Sequence, residues 1–265
     1  MSTADASPAH RGELIVVKLG GTTLADQRAV LEEVAQRSHR DRVVLVHGGG
    51  KRLTEWLARM GVESRFENGL RVTDDAALEV ALAVLGGVIN GELVSVLRAA
   101  GADAVGLRGL DGALLIAERI PSLGRVATVK GARAGLLDAI LATGALPVIA
   151  PLALDETGTI CNVNADDAAA GLAGALGARL ILLTDTDGVR GADGQRIPFI
   201  TDRETEALIE QGVISGGMVP KVRCSLRALA WGAPETVIAD GAAPDALSRA
   251  LDDPGFGTRS RSAGA

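Results

Sequence analysis

Between Leu14 and Met60 the chain twice runs the same course: a short unbroken apolar segment, a glycine turn, then an amphipathic segment of helical period. Leu14 to Leu19 ends at Gly20-Gly21 and leads into Asp26 to Ser38. Arg42 to Val46 ends at His47-Gly48-Gly49-Gly50 and leads into Lys51 to Met60, with Leu53, Trp56, Leu57 and Met60 on one face. Strands that are apolar at every position must be covered on both faces, and their alternation with helices makes the pairing parallel. The pattern predicts an α/β chain around a buried, mainly parallel sheet.

Further along, Arg65 to Thr73 predicts a hairpin around Asn68-Gly69, which feeds an alanine-rich helix opened by Asp74. Gly86-Gly87 and Asn90-Gly91 predict breaks before a further helix to Ala99. Ala102 to Leu107, Leu146 to Ala150, Arg179 to Leu183 and Glu235 to Ala239 read as buried strands, and Ala113 to Glu118 with Val126 to Lys130 as an antiparallel pair. Thr201 and Glu204 read as a capping box. Pro220 fits the helix opened by Gly216-Gly217 only if it lies in the first turn.

With 265 residues, 47% of them hydrophobic, the chain suits one large α/β unit or two lobes in contact. The net charge of −6 and the 2% aromatic content, with no Tyr, argue against a nucleic-acid partner. Cys161 and Cys224 lack metal-ligand spacing and read as reduced core thiols, so no metal site is expected. No apolar run approaches a membrane span and the leading residues lack a signal peptide, so a cytoplasmic protein with a disordered tail over 1–13 is expected.

In an open α/β sheet, ligands bind beyond the carboxyl ends of the strands. Gly20-Gly21 and Gly48-Gly49-Gly50 bring bare N–H groups to that edge, either as anion sites or as plain tight turns. Neither turn is a GxxxxGK[ST] or a GxGxxG. Lys18 near the end of an apolar strand needs an anion to meet it, unless its ammonium snorkels to water. Lys221 in a first helical turn opposes the helix dipole and so also implies a local anion. The stretch from Ile160 to Ala170 crowds Asn162, Asn164, Asp166 and Asp167 into the start of a small-residue helix. Caps and solvated polar groups account for Asn164 and Asp167, and leave Asn162 and Asp166 as candidates for work. Arg71 is suited to bidentate capture of a carboxylate.

Taken together, VVKLGG (Val16 to Gly21), VHGGGK (Val46 to Lys51), NGLRVTD (Asn68 to Asp74), NVNADDAA (Asn162 to Ala169), LLTDTDGV (Leu182 to Val189) and GGMVPK (Gly216 to Lys221) resemble the amino acid kinase family. The match runs in order from Leu14 to Arg259, and HGGG with NGLRVTD is similar to the branch that acts on N-acetyl-L-glutamate. The resemblance implies a three-layer α/β/α sandwich with a mainly parallel central sheet. It further implies an N-terminal lobe, 14–178, for acetylglutamate and dimerisation, and a C-terminal lobe, 179–265, for ATP. The implied reaction phosphorylates the γ-carboxylate of N-acetyl-L-glutamate in arginine biosynthesis, with ATP as co-substrate and Mg²⁺ carried on its phosphates. A kinase for carrier-protein-bound aminoadipate or glutamate, and a non-catalytic amino-acid sensor, share the scaffold as alternatives.

Residue by residue, the resemblance assigns Lys18 and Lys221 to neutralising the phosphoryl group in flight, with Asp166 holding them in register. Gly48 and Gly49 would hold the reacting carboxylate, and Arg71 and Asn162 the other end of the substrate. Gly20 and Gly21 fall under the phosphates; Asp185, Thr186, Asp187, Gly188, Val189 and Arg190, with Val213, Ile214 and Ser215, match the nucleotide pocket. The short region from Glu118 to Arg133 implies an abbreviated lid hairpin, and Pro220 is an unusual neighbour for Lys221. The leading residues are too short and polar for the extra helix that knits arginine-inhibited relatives into hexamers, so a homodimer insensitive to arginine is expected. A carboxylate nucleophile, with a reference pKa of about 4, is already ionised and needs no general base.

Overall fold

The computed structural model describes residues 12–20, 27–67 and 69–261 of the chain. The two expected strand–turn–helix units are β1 (Leu14–Leu19) with α1 (Arg28–Arg37), and β2 (Arg42–His47) with α2 (Gly50–Arg59). Leu53 and Leu57 of α2 are buried, but Met60 is 63% exposed, because it lies beyond the last helical residue instead of on the packed face. β3 (Phe66–Glu67) and β4 (Leu70–Arg71) form the hairpin, whose Asn68 lies outside the described residues. Asp74 caps α3 (Asp75–Ala83) by accepting the Ala77 N–H at 2.8 Å.

The predicted breaks at Gly86-Gly87 and Asn90-Gly91 do not occur. α3 continues through a π-helical turn, Val84–Ile89, into α4 (Asn90–Ala99). A glycine in a helix interior costs about 1 kcal/mol. Burial of Val84, Leu85, Ile89, Leu93 and Leu97 in one core outweighs that. Unbroken, Asp75–Ala99 is by length and composition apolar enough to cross a bilayer, contrary to the expectation that no run reaches that length. It packs on the central sheet instead, with less than half of its apolar window buried.

The remaining elements in order are β5 (Ala104–Arg108), β6 (Leu115–Arg119), β7 (Val126–Ala132), α5 (Gly135–Leu141), β8 (Leu146–Ala150), β9 (Leu152–Asp155) and β10 (Ile160–Val163). They are followed by α6 (Ala165–Leu176), β11 (Arg179–Thr184), α7 (Asp202–Glu210), α8 (Met218–Ala230), β12 (Glu235–Asp240), α9 (Ala246–Asp252) and β13 (Thr258–Arg261). The central sheet has seven strands in the order β13-β12-β11-β1-β2-β8-β5, parallel except for β13. β6 and β7 pair antiparallel as expected and close with β9 and β10 into a small barrel.

Side chains alternate across each strand. Ile15, Val17 and Leu19 of β1 enter a core with α1, α2, α3, α4 and α9, while Val16 enters a second core on the opposite face with α5, α6 and α8. The result is the three-layer α/β/α sandwich. Lys18, two residues after Val16, therefore faces the α6 side. Sheet pairing also crosses the 178/179 boundary without a break, since β1 lies between β2 and β11.

Candidate active site

The anion that Lys18 requires is Asp166. Lys18 Nζ lies 2.8 Å from Asp166 Oδ1 as a buried ion pair, and Lys221 Nζ donates to Oδ2 at 3.0 Å. Asp166 stands in the first turn of α6, where the helix dipole favours negative charge, and Asn164 caps that helix by accepting the Asp166 N–H at 2.8 Å. Burial alone would raise the Asp166 carboxyl, but the charges and hydrogen bonds of both lysines overturn it and hold the pKa below the usual carboxylate range. Pro220 is the third residue of α8, where no helical hydrogen bond is lost, so Lys221 follows it without a kink. Gly20 leaves room for the ammonium, since a Cβ there would meet Lys18 Nζ at 2.4 Å.

These three residues wall a cavity of about 280 Å³ together with Gly48, Gly49, Arg71 and Asn162. Gly49 has φ +154°, and a Cβ on it would meet Ile89 Cδ1 at 2.5 Å and Leu85 Cδ2 at 2.8 Å, so only glycine fits. It is the N-cap of α2 without a side-chain cap, at the end of a helix whose first N–H groups lack intrahelical partners. The expectation of bare N–H groups at both turns needs correction. Gly20 donates to Leu183 O at 3.1 Å and Gly48 to Leu19 O at 3.0 Å, because the parallel ladders continue one residue beyond the strands. Arg71 is held by Gly50 O at 2.9 Å, Thr54 Oγ1 at 2.7 Å and Ser64 Oγ, and stacks on the Phe66 ring at 4.5 Å. These partners are neutral, and burial pulls the Arg71 pKa down. Asn162 reaches the Thr73 hydroxyl at 3.3 Å.

The nucleotide-pocket candidates do not line this cavity. Gly21 lies outside the described residues. Asp185 to Arg190 form the loop after β11, next to the turn after β1 on the same carboxyl edge, and the Gly20–Leu183 bond ties that turn to the end of β11. Asp185 is exposed and Thr186 half-buried; Asp187 pairs with Arg190 at 3.1 Å. Val189 and Ile214 are core residues, so any ligand contact there falls to backbone or to neighbours such as the half-buried Val213 and exposed Ser215. Gly188 is buried, and its missing Cβ leaves space for Thr258 Oγ1, which accepts the Val189 N–H.

Two features escaped the sequence reading. Asp167 is not a solvated cap: it is buried, accepts the Val129 N–H at 2.8 Å and pairs with Arg227 of α8 at 2.8 Å, so it ties β7 to the helix that carries Lys221. Burial raises its pKa. His47 is also buried, and desolvation lowers its pKa to about 4. Its ordinary value near 6.5 in the unfolded chain means that, between those two pH values, the unfolded state binds the extra proton and stability falls as pH drops. Urea unfolding at pH 7 and pH 5 is expected to show the wild type losing about 2 kcal/mol more than His47→Asn on acidification. Equal losses in the two proteins would refute this.

The model of the amino acid kinase family matches residues 13–240. Acetylglutamate kinase of Solibacter usitatus is 45% identical over 251 residues, covering 92% of this chain and 98% of that protein. Acetylglutamate kinase of Rubrobacter xylanophilus is 44% identical over 253 residues, covering 95% and 98%. In fold, the chain resembles a solved N-acetylglutamate synthase from Neisseria gonorrhoeae complexed with coenzyme A and N-acetyl-glutamate, with a TM-score of 0.81 at 23% identity, over 97% of this chain and 61% of that one. With the motifs in order, the sandwich built and the family model spanning most of its length, the chain belongs to the amino acid kinase family.

Proposed function

We propose that the chain transfers the γ-phosphoryl group of ATP to the γ-carboxylate of N-acetyl-L-glutamate, a step of arginine biosynthesis. The observation that carries this reading is the convergence of Lys18 and Lys221 on Asp166 beside the glycine turn and Arg71, in one cavity. The similarity to acetylglutamate kinases over nearly the whole chain supports it. A carboxylate oxygen attacks the γ-phosphorus, the bond to the bridging oxygen breaks, and ADP leaves with the electron pair. No proton moves. The obstacle is the approach of two anions, and phosphoryl transfer is mostly positioning and charge neutralisation.

In this reading Asp166 keeps both ammonium groups aimed at the reacting phosphoryl, Gly48 and Gly49 seat the acceptor carboxylate, and Arg71 and Asn162 hold its far end. ATP lies on the C-terminal lobe, 179–265, against the loops after β1 and β11. Among the described residues no group of three His, Cys, Asp or Glu side chains is placed to hold a metal ion, and both Asp166 oxygens face ammonium groups. In this reading Mg²⁺ rides on the ATP phosphates and waters, and the protein's own contribution comes from its lysines and backbone.

ADP release with ATP and acetylglutamate, together with hydroxylamine trapping of the acyl phosphate, tests the reaction. Turnover only with a carrier-protein-bound substrate, or nucleotide binding with none at all, would replace it. Arg71→Ala is expected to raise KM for acetylglutamate by roughly tenfold or more while ATP affinity is kept, as for loss of a charged ligand contact. A fall in ATP binding instead would reassign Arg71.

The reading includes a homodimer. Helix Asp75–Ala99 leaves more than half of its apolar window unburied, and Trp56, Met60, Val80 and Val84 line an apolar groove beside it. An apolar surface of this kind suits a second copy of the chain. Sizing by light scattering is expected at two protomers; a monomer or hexamer would refute it.

A further inference from the structure

The glycine turn after β2 rests on side chains to which the phosphoryl transfer assigns no part. His47 Nδ1 lies 2.7 Å from Gly48 O. A carbonyl only accepts, so Nδ1 carries the proton and Nε2 is the bare nitrogen. Asn90 Nδ2 donates one N–H to that Nε2 at 3.3 Å and shares the other between Val148 O at 2.9 Å and Leu107 O at 3.3 Å, which anchors the amide to β8 and β5. Gly106 completes the seat, since a Cβ there would fall 2.1 Å from Asn90 Oδ1. Asn90 follows directly on the π-helical turn whose Leu85 and Ile89 press on Gly49. Such turns cluster at functional sites.

The geometric consequence lies in one peptide unit. Gly48 C=O and Gly49 N–H belong to the same planar trans peptide, so they point in opposite directions. Fixing the carbonyl fixes the N–H. Between two glycines such a peptide could otherwise rotate as a unit, because neither residue has a Cβ to resist it.

We propose that His47 and Asn90 are positioning residues for the phosphoryl acceptor: by holding Gly48 O they set the direction in which the Gly49 N–H meets the substrate carboxylate. The proposal rests on the reading of this turn as the acceptor's seat. Asn90 acts through His47, and His47 acts through the peptide; neither touches the reacting atoms. Burial keeps the ring neutral, and the Gly48 carbonyl keeps its proton on Nδ1.

The test compares His47→Leu, Asn90→Leu, His47→Asn and Gly49→Ala in steady-state assays with acetylglutamate and ATP. His47→Leu and Asn90→Leu are expected to lower kcat/KM for acetylglutamate by roughly 10- to 100-fold, with KM for ATP changed less than about threefold, as for a misplaced contact. His47→Asn puts an amide N–H where Nδ1–H stands and is expected to recover most of the loss; a merely structural role would give no such split. Gly49→Ala reports on the underlying reading. If it is severe while His47→Leu stays within about threefold of the wild type, the positioning role is overturned. If Gly49→Ala leaves acceptor kinetics unchanged, the seat itself is misassigned. Should the leucine variants fail to fold, nitrogen-15 histidine spectra of the wild type decide the matter. One ring protonated at Nδ1 and not titrating above pH 5 is expected, and its absence would overturn the proposal.

Discussion

Lys18→Ala is expected to lower kcat roughly 10²- to 10³-fold with smaller changes in either KM, the scale of one lost electrostatic donor at a transition state. Bringing a carboxylate to about 4 Å from a phosphate costs roughly 4 kcal/mol per pair of unit charges at an effective dielectric near 20. In the proposed mechanism, that is the barrier the buried ammonium opposes. Lys221→Ala should fall in the same range, and the double variant should lose less than the product of the two, because both cations share Asp166. Hydroxamate formation under saturating substrates measures it. If both single variants keep turnover within about tenfold of the wild type, the electrostatic mechanism is wrong.

Asp166→Ala is expected to damage both stability and turnover. Its carboxylate is 7% exposed and stands between ammonium groups that are 8% and 18% exposed. Removing it leaves two like charges facing each other in a site closed to most water, and breaking a buried ion set in this way typically costs about 3–5 kcal/mol. Urea midpoints at neutral pH should drop accordingly, with turnover falling at least as far as in Lys18→Ala. Because the Asp166 pKa is depressed in the folded chain, its stabilising contribution is complete above the ordinary carboxylate value and is lost as pH falls through the lower, folded one. The gap between wild type and Asp166→Ala should therefore close in acid. A variant with the wild-type urea midpoint at neutral pH would show that the three groups do not depend on one another.

Lys18 was legible because a lysine inside an apolar strand has few inexpensive options, and Lys221 because it stands at the wrong end of a helix dipole. Both therefore announced an anion. That a single carboxylate serves both is a property of β1, α6 and α8 meeting in space, which no local pattern contains. Asp167 looked like Asn164, a polar residue at a helix start, and only the Val129 N–H and Arg227 distinguish a buried tie from a cap. The unbroken helix from Asp75 to Ala99 is hidden in the sequence for a related reason. Gly86, Gly87, Asn90 and Gly91 have poor local propensity, and core burial with a π-helical turn overrides it. The contact between His47 and Asn90 is hidden with it, since Asn90 belongs to that continuous helix and not to a break.

The position of β1 has a consequence for how the chain is made. Its left and right neighbours are β2, only a helix away, and β11, which begins at Arg179. During synthesis from the N-terminus at about 5–20 residues per second, one apolar edge of the first strand therefore waits on the order of ten seconds for its partner to emerge. An unpaired edge of that kind invites intermolecular pairing, so the nascent protein is most vulnerable to aggregation, and most in need of chaperone cover, until its final third leaves the ribosome.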